Sequence, residues 1–265
     1  MENLCLPSVL YRQKVPDMAD LLLELLSEEI PSRMQLKAAE DLKNMITNGL
    51  VEAGLTYSGA AAFSTPRRLV LTLQGLLDES PTQREERKGP RVDAPEKALE
   101  GFLRSTGLDR EALEIRDDKK GQVYFANVET PGRSAALIIG EVLEKILWSF
   151  PWPKSMRWGN GRLRWIRPLH TIICLLSDEV GTQIVPFEIN GIKASDQTFG
   201  HRFMAPHPFS VTSFDDYAAK LKRNYVILDP IERSKIILQE VENQAFACGH
   251  ELVSDLSLLA EVSGL

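Results

Sequence analysis

Hydrophobic and polar positions in the first part of the chain predict a strand, a helix and a second strand. Residues 20–26 form an apolar, leucine-rich run of strand length. Residues 69–76 alternate between apolar and polar, which predicts a strand with Arg67 and Arg68 at its entrance. Between them, Ser32 and Gln35 have the spacing of a capping box, and Gly54 provides a helix stop. Apolar residues recur at helical spacing in this interval: Ala38, Leu42, Met45, Ile46, Leu50 and Ala53.

Later segments alternate helices and strands without a regular βαβ repeat. The middle of the chain predicts a solvated connector at residues 84–91, a helix from Pro95 to Gly107, a turn at residues 117–121, a strand at residues 121–130 and a helix from Ser134 that ends before Pro151. The second half predicts a strand at residues 171–177, a hairpin at Asn190-Gly191, a returning strand at residues 193–199, a helix capped by Ser213, a strand at residues 225–229 and a helix opened by Pro230.

This order of elements predicts an α+β fold of mixed helices and mostly antiparallel sheets. Residues 1–17 contain two prolines and no clear periodicity, so we expect an extension outside the fold, with Met18 preceding the first patterned segment. Prolines at positions 151 and 153 predict a division into an α+β region at residues 18–150 and a second α+β region at residues 151–265.

Composition and charge exclude several classes of protein. The 265 residues carry a net charge of −6, so any contact with a polyanion must come from a local patch. The three cysteines are far apart, which indicates a reducing compartment and gives no disulfide or zinc spacing. Apolar runs fall short of the roughly 18 residues of a membrane helix, which favours a cytoplasmic protein without membrane contact.

Motifs for a self-contained active site are absent from the sequence. It contains no phosphate-binding loop, dinucleotide fingerprint, metalloprotease motif, paired Cys-x-x-Cys or nucleophile elbow. The four histidines are scattered and lack a third ligand at metal-binding spacing. We therefore predict neither catalytic residues nor a metal site in this chain.

A basic and aromatic stretch is the most unusual feature of this acidic chain. All four tryptophans lie in or beside it, and no Asp or Glu occurs from Pro151 to Ser177. Two interpretations are open: a surface that binds phosphates or an acidic partner, or a core whose arginines pair with distant carboxylates. The candidate binding residues of this stretch are Lys154, Arg157, Arg162, Arg164 and Arg167.

Two further basic pairs join the candidate list. His201 and Arg202 follow the predicted returning strand, and Arg67 and Arg68 precede an earlier strand. Paired Glu28 and Glu29 offer an acid–base interpretation for the arginine pair, but a salt-bridged strand entrance is favoured because neither pair has a catalytic spacing.

Seven motifs in order give the chain a family resemblance. They are DLLLELLSEEIPSRM, FSTPRRLVL, KGPR, GFLRSTGL, KSMRWG, RWIRPLH and GHRF. Together they resemble the β subunit of bacterial heterotetrameric glycyl-tRNA synthetase, from about Asp20 to the last residue. Leu25-Leu26-Ser27 replaces the Ile-Gly-Thr type of sequence usual in the opening motif.

The resemblance implies a role within an α2β2 ligase that attaches glycine to tRNA at the expense of ATP. The implied partners are the catalytic α subunit, a second β subunit and tRNA(Gly). The resemblance places ATP and Mg²⁺ on the α subunit, so no cofactor is expected here. It also places an HD-type domain and an anticodon-binding domain beyond Leu265, so we expect a non-catalytic fragment. The alternatives are a stand-alone RNA-binding module and a scaffold that contacts only the α subunit.

Overall fold

The computed structural model describes residues 18–118 and 121–265, so the expected extension at residues 1–17 lies outside the described residues. The strands are β1 (Met18–Ser27), β2 (Gly59–Thr65), β3 (Arg68–Leu77), β4 (Gln83–Arg91), β5 (Leu113–Asp118), β6 (Gly121–Thr130), β7 (Leu169–Ser177), β8 (Thr182–Ile184), β9 (Glu188–Ile189), β10 (Ile192–Ser195), β11 (Gln197–Phe199) and β12 (Pro208–Ser210). The helices are α1 (Ser32–Glu52), α2 (Glu96–Thr106), α3 (Ala135–Trp148), α4 (Phe214–Arg223), α5 (Pro230–Ala247) and α6 (Leu256–Ser263). Mixed helices and mostly antiparallel strand pairs confirm the α+β class.

β1 lies inside a sheet whose strand order is β2-β3-β1-β7-β10-β9, with β8 also paired to β7. It is antiparallel to both neighbours, so that Leu23 lies between Leu71 and Cys174. β10 runs parallel to β7. A strand paired on both edges and covered on both faces needs apolar residues at successive positions, which explains the continuous leucine run of β1.

The two faces of this sheet have separate cores. Leu23 belongs to the larger one, which includes Leu42 of α1 and Leu143 of α3. Leu22 belongs to the smaller one, with Tyr217 and other residues of α4. Neighbouring residues of a strand point to opposite faces, so the single run of β1 contributes to both cores.

Residues 79–134 form a compact unit of their own, and residues 18–78 and 135–265 form the other. The smaller unit contains a sheet of order β4-β6-β5 together with α2. The predicted division near Ser149–Pro151 does not coincide with this one. The reason is that β1 pairs with β3 and with β7, which joins residues from both sides of that point in one sheet.

The predicted connector at residues 84–91 is wrong, because this segment is the strand β4. It pairs with β6 from Gln83 opposite Thr130 to Lys88 opposite Phe125. Both faces of β4 carry charged, exposed side chains, so the sequence has no apolar alternation to indicate a strand. Backbone pairing with β6 sets its conformation instead.

The helix α1 is confirmed, but its predicted capping box is wrong. Pro31 is the residue before the first turn, and no side chain caps it. The buried amide of Gln35 donates to Ile30 O at 2.8 Å and to Gly264 O at 2.7 Å. Gln35 therefore connects the start of α1 to the end of α6.

Two strand predictions in the second half need correction. Residues 225–229 form no strand: Tyr225 has a left-handed φ of 61°, and Leu228 packs in the smaller core. The returning strand at residues 193–199 divides into β10 and β11, which pair with different partners. The Asn190-Gly191 hairpin between β9 and β10 is confirmed, and so is the Ser213 cap of α4.

The other predicted helices and strands are confirmed, whereas the sequence did not predict β2, β5, β12 and α6. The predicted turn at residues 117–121 lies partly outside the described residues, and its first two positions belong to β5. Across residues 18–118 and 121–265, no helix is long and apolar enough to cross a membrane. The same ranges contain no group of three metal-ligating side chains.

Candidate functional site

An aromatic cluster holds the segment after α3. The rings of Phe150, Trp152 and Trp165 have centroids 4.9 to 5.0 Å apart. Trp165 is 1% exposed, and Trp152 and Trp158 pack against the larger core. These three tryptophans are thus packing residues, as the structural interpretation of the stretch predicts, while Trp148 is half-exposed.

We call residues 154–167 the basic loop. Met156 and Trp165 close it with two backbone hydrogen bonds, Met156 N to Trp165 O at 2.8 Å and Trp165 N to Met156 O at 3.1 Å. Near its end, buried and exposed residues alternate, with Leu163 inside and Arg162 and Arg164 outside. Local extended backbone therefore points the arginines to solvent while their neighbours fill the core.

Asn190 fixes the basic loop from the neighbouring hairpin turn. Its side-chain Oδ1 accepts hydrogen bonds from Arg162 N at 3.0 Å and Leu163 N at 3.4 Å. A left-handed φ of 52° places Asn190 at the tip between β9 and β10. Gly161 permits the close approach, because a Cβ there would lie 2.3 Å from Asn190 Nδ2.

The five cationic side chains of the basic loop are exposed: Lys154, Arg157, Arg162, Arg164 and Arg167. Within the described part of the chain, none has a carboxylate oxygen within 4 Å. Arg164 Nε donates to Ser155 Oγ at 3.3 Å. Exposed guanidinium groups without a carboxylate partner can offer paired hydrogen-bond donors to the oxygens of an anion.

A second cluster forms around Glu28, just after β1. Glu28 Oε1 lies 2.8 Å from His170 Nε2 and 3.8 Å from Arg67 Nη2, and Glu28 Oε2 lies 3.8 Å from Arg202 Nη1. Arg202 also approaches Glu29, at 3.5 Å. The basic cavity, lined by Arg67, His170 and Arg202, lies at this cluster and has a volume of about 410 Å³.

Charge and burial shift two pKa values in this cluster. The hydrogen bond from His170, with Arg67 and Arg202 nearby, lowers the pKa of Glu28 despite partial burial. Burial lowers the pKa of Arg67, against the opposing charge of Glu28. Glu28 is therefore ionised under ordinary conditions and acts as the counter-ion of the cluster.

Arg68 differs from the other predicted binding residues because it is 4% exposed. Its Nε donates to Glu24 Oε2 at 3.0 Å, and its Nη2 donates to the carbonyl of Phe199. Its guanidinium is thus inside the protein and not exposed for RNA or a partner. This is the salt-bridged strand entrance favoured from the sequence, with Glu24 as the acid instead of Glu28 or Glu29.

His201 has a structural contact in the loop after β11. Its Nδ1 accepts hydrogen bonds from Phe203 N at 3.3 Å and Met204 N at 3.2 Å, so the ring caps a turn. Arg202 is half-exposed and lies over the ring of Phe203, 5.6 Å from its centroid. Arg67 and Arg202 therefore lie together at the Glu28 cluster. The other members of the two predicted pairs, Arg68 and His201, make structural contacts instead.

Sequence reasoning missed three residues that shape these sites: His170, Asn190 and Glu24. His170 ends the RWIRPLH motif, where the arginines drew attention. A lone acid within the apolar run of β1 was the available indication for Glu24. For Asn190 the dipeptide indicated the turn, but not the hydrogen bonds of its side chain.

Comparison with known proteins identifies the family. The family model for the glycyl-tRNA synthetase beta subunit matches residues 21–265. Proteins named glycine–tRNA ligase beta subunit from Ruegeria sp. (strain TM1040) and Paracoccus denitrificans (strain Pd 1222) are each 66% identical over 248 residues, which is 94% of this chain and 36% of each relative. The corresponding protein of Cereibacter sphaeroides (strain ATCC 17023) is 62% identical over the same coverage.

These matches place the chain in a family of aminoacyl-tRNA synthetase subunits. The chain belongs to the glycyl-tRNA synthetase beta subunit family, and the predicted resemblance is confirmed. It spans about a third of the length of the curated relatives it matches and corresponds to their N-terminal part.

Proposed function

We propose that this chain supports the ATP-dependent attachment of glycine to tRNA within an α2β2 complex, by binding tRNA and helping to hold the catalytic α subunit. In this proposal ATP and Mg²⁺ are used by the α subunit and the complex works in the cytoplasm. The basic loop is the part that contacts the tRNA backbone. The names of the relatives support the reaction, and the geometry of the basic loop supports the contact.

The observation that carries the proposal is the unpaired state of the basic loop. Five exposed cations lie on a loop held by buried aromatic rings and by Asn190, and within the described residues they have no carboxylate partner. A loop ordered before binding loses little conformational entropy when it binds. Backbone phosphates are the matching ligands, because each arginine can donate two parallel hydrogen bonds to their oxygens.

Charge reversal in the complete enzyme tests this proposal. The double substitution Arg162→Glu and Arg164→Glu removes two phosphate contacts and adds repulsion. We expect the KM for tRNA to rise about tenfold or more at low salt. The logarithm of tRNA affinity should also fall less steeply with the logarithm of salt, by about two slope units. Aminoacylation kinetics and tRNA binding over a salt series measure both quantities.

A matched control carries the same change in charge elsewhere. Arg84 and Arg87 are exposed arginines of β4 that already pair with Glu129 and Glu85. Their reversal to glutamate should leave the KM for tRNA unchanged. Normal tRNA kinetics in a folded Arg162/Arg164 variant would sink the RNA contact, and weaker association of the subunits in that variant would assign the loop to the α subunit.

A further inference from the structure

The basic cavity brings together side chains that are remote in sequence. Arg67 lies in the turn between β2 and β3, His170 lies in β7 and Arg202 follows β11. Thr171 also lines the cavity, and within the described residues its buried hydroxyl has no hydrogen-bond partner. Three basic groups that are remote in sequence thus surround one space.

Glu28 occupies the position of an oxyanion among these groups. His170 contacts its carboxylate at 2.8 Å, whereas both arginines remain 3.8 Å away. Contacts of 3.8 Å are longer than hydrogen bonds, so the guanidinium donors facing Glu28 are not used up by it. Arg67 Nε donates to Ser27 O at 3.2 Å, and the residue also lines the cavity.

We propose that the basic cavity binds a phosphate group of an RNA backbone, and that Glu28 is the internal counter-ion which the phosphate replaces. A phosphate accepts hydrogen bonds from several directions, which suits two guanidinium groups and an imidazole. Glu28 is 34% exposed, so it can turn to water when the phosphate enters.

RNA is favoured over an acidic peptide by the position of the cavity in the chain. The basic loop ends at Arg167, and His170 follows three residues later, so their Cα atoms are at most about 11 Å apart. An RNA backbone that lies along the basic loop therefore passes close to the cavity. The inference rests on the proposed function in this one respect, that the same RNA covers the basic loop.

The test uses substitutions that should act in opposite directions. Arg202→Gln removes one phosphate contact, so the affinity for tRNA should fall about tenfold and the slope of log affinity against log salt should decrease by about one unit. Glu28→Gln removes the competing carboxylate, so the affinity should rise several-fold. The probe is unmodified tRNA(Gly) transcript, bound to the complete enzyme over a series of KCl concentrations.

Controls separate this effect from general changes in charge and stability. Glu188→Gln removes an exposed carboxylate whose partner, Lys193, is 3.8 Å away, and Arg87→Gln removes an exposed arginine. Neither should change the affinity or the salt slope. The thermal midpoint of each variant is measured in parallel, and the half-exposed positions of Arg202 and Glu28 allow folded variants.

Opposite shifts for Glu28→Gln and Arg202→Gln support the phosphate site. Unchanged tRNA affinities in both variants, or a loss of affinity in both, overturn it. If the ion pair only stabilises the fold, removal of either partner should have the same effect. Weaker subunit association with normal tRNA affinity also overturns it and assigns the cavity to a protein carboxylate. The Arg162/Arg164 variant in the same assay tests the proposed function independently, since either site can fail while the other behaves as expected.

Discussion

At the scale of residues, the most constrained group is the buried carboxylate of Glu24. It is fully buried and accepts hydrogen bonds from Arg68, Thr198 and Tyr217. A charge placed inside a protein is tolerated only when it is paired and hydrogen-bonded, so each donor has a large effect. Burial and the neighbouring Glu24 raise the pKa of Tyr217, which keeps its hydroxyl protonated and able to donate.

Removal of one donor should measure this effect. Tyr217→Phe leaves the ring in the core but takes a hydrogen bond from a buried carboxylate, so the free energy of unfolding should fall by about 1–3 kcal/mol. Urea denaturation of the variant checks it. The control is Tyr225→Phe, where the ring is 61% exposed. Equal stability of the two variants would contradict the prediction.

Strand register determines which carboxylate pairs with Arg68. Leu26 of β1 is opposite Arg68 of β3, so Glu24, two residues earlier, is a diagonal neighbour on the same face. The residue types at the strand entrance indicated an ion pair. The sequence suggested Glu28 and Glu29 as its acids, because they lie just after the end of the predicted strand. Register comes from long-range pairing, which no local pattern contains.

At the scale of elements, the basic loop depends on a turn that lies later in the chain. The two hydrogen bonds to Asn190 are its connection to the β9–β10 hairpin. The dipeptide Asn190-Gly191 was sufficient to predict the hairpin because its left-handed backbone restricts the residue types. The contact between this turn and Gly161 is tertiary, so the sequence could not indicate it.

Filling the space at Gly161 should release the basic loop. In Gly161→Ala the new Cβ would lie 2.3 Å from Asn190 Nδ2, so the Asn190 side chain must move and its hydrogen bonds weaken. We expect faster hydrogen exchange at the amides of Arg162 and Leu163, by about tenfold. Gly181→Ala is the control, since no atom lies within 4 Å of its Cβ position. Unchanged exchange at both amides would show that Asn190 does not order the loop.

Elements with a strong periodic pattern were predictable, and elements set by pairing were not. β1 and α1 have long apolar patterns and were found from them. β4 has charged residues on both faces and was taken for a connector. Similarly, five basic residues without nearby acidic residues indicated the basic loop. The basic cavity could not be predicted from a local pattern, because it forms where three segments remote in sequence meet in the fold.

At the scale of the whole molecule, the main sheet is built from two separate parts of the chain. Residues 18–78 supply β1 to β3, and residues 135–265 supply β7 to β10. The unit at residues 79–134 has its own sheet, in which β5 and β6 are consecutive. The β5–β6 pair is therefore local in sequence, whereas the pair of β1 and β7 is not.

Synthesis of the chain from its N-terminus turns this arrangement into a sequence of events. β3 reaches β1 early, but β7 is made only after the whole of residues 79–134. Until then β1 has one free edge of backbone donors and acceptors along a leucine-rich strand, which is a template for pairing with other chains. We expect a chain ending at residue 150, which includes α3 but not β7, to aggregate, and one ending at residue 229, which adds β7, β10 and α4, to remain soluble in a sedimentation assay. Equal solubility of the two would show that β1 does not need its second neighbour. A nascent chain would then not be prone to aggregation between the synthesis of β3 and that of β7.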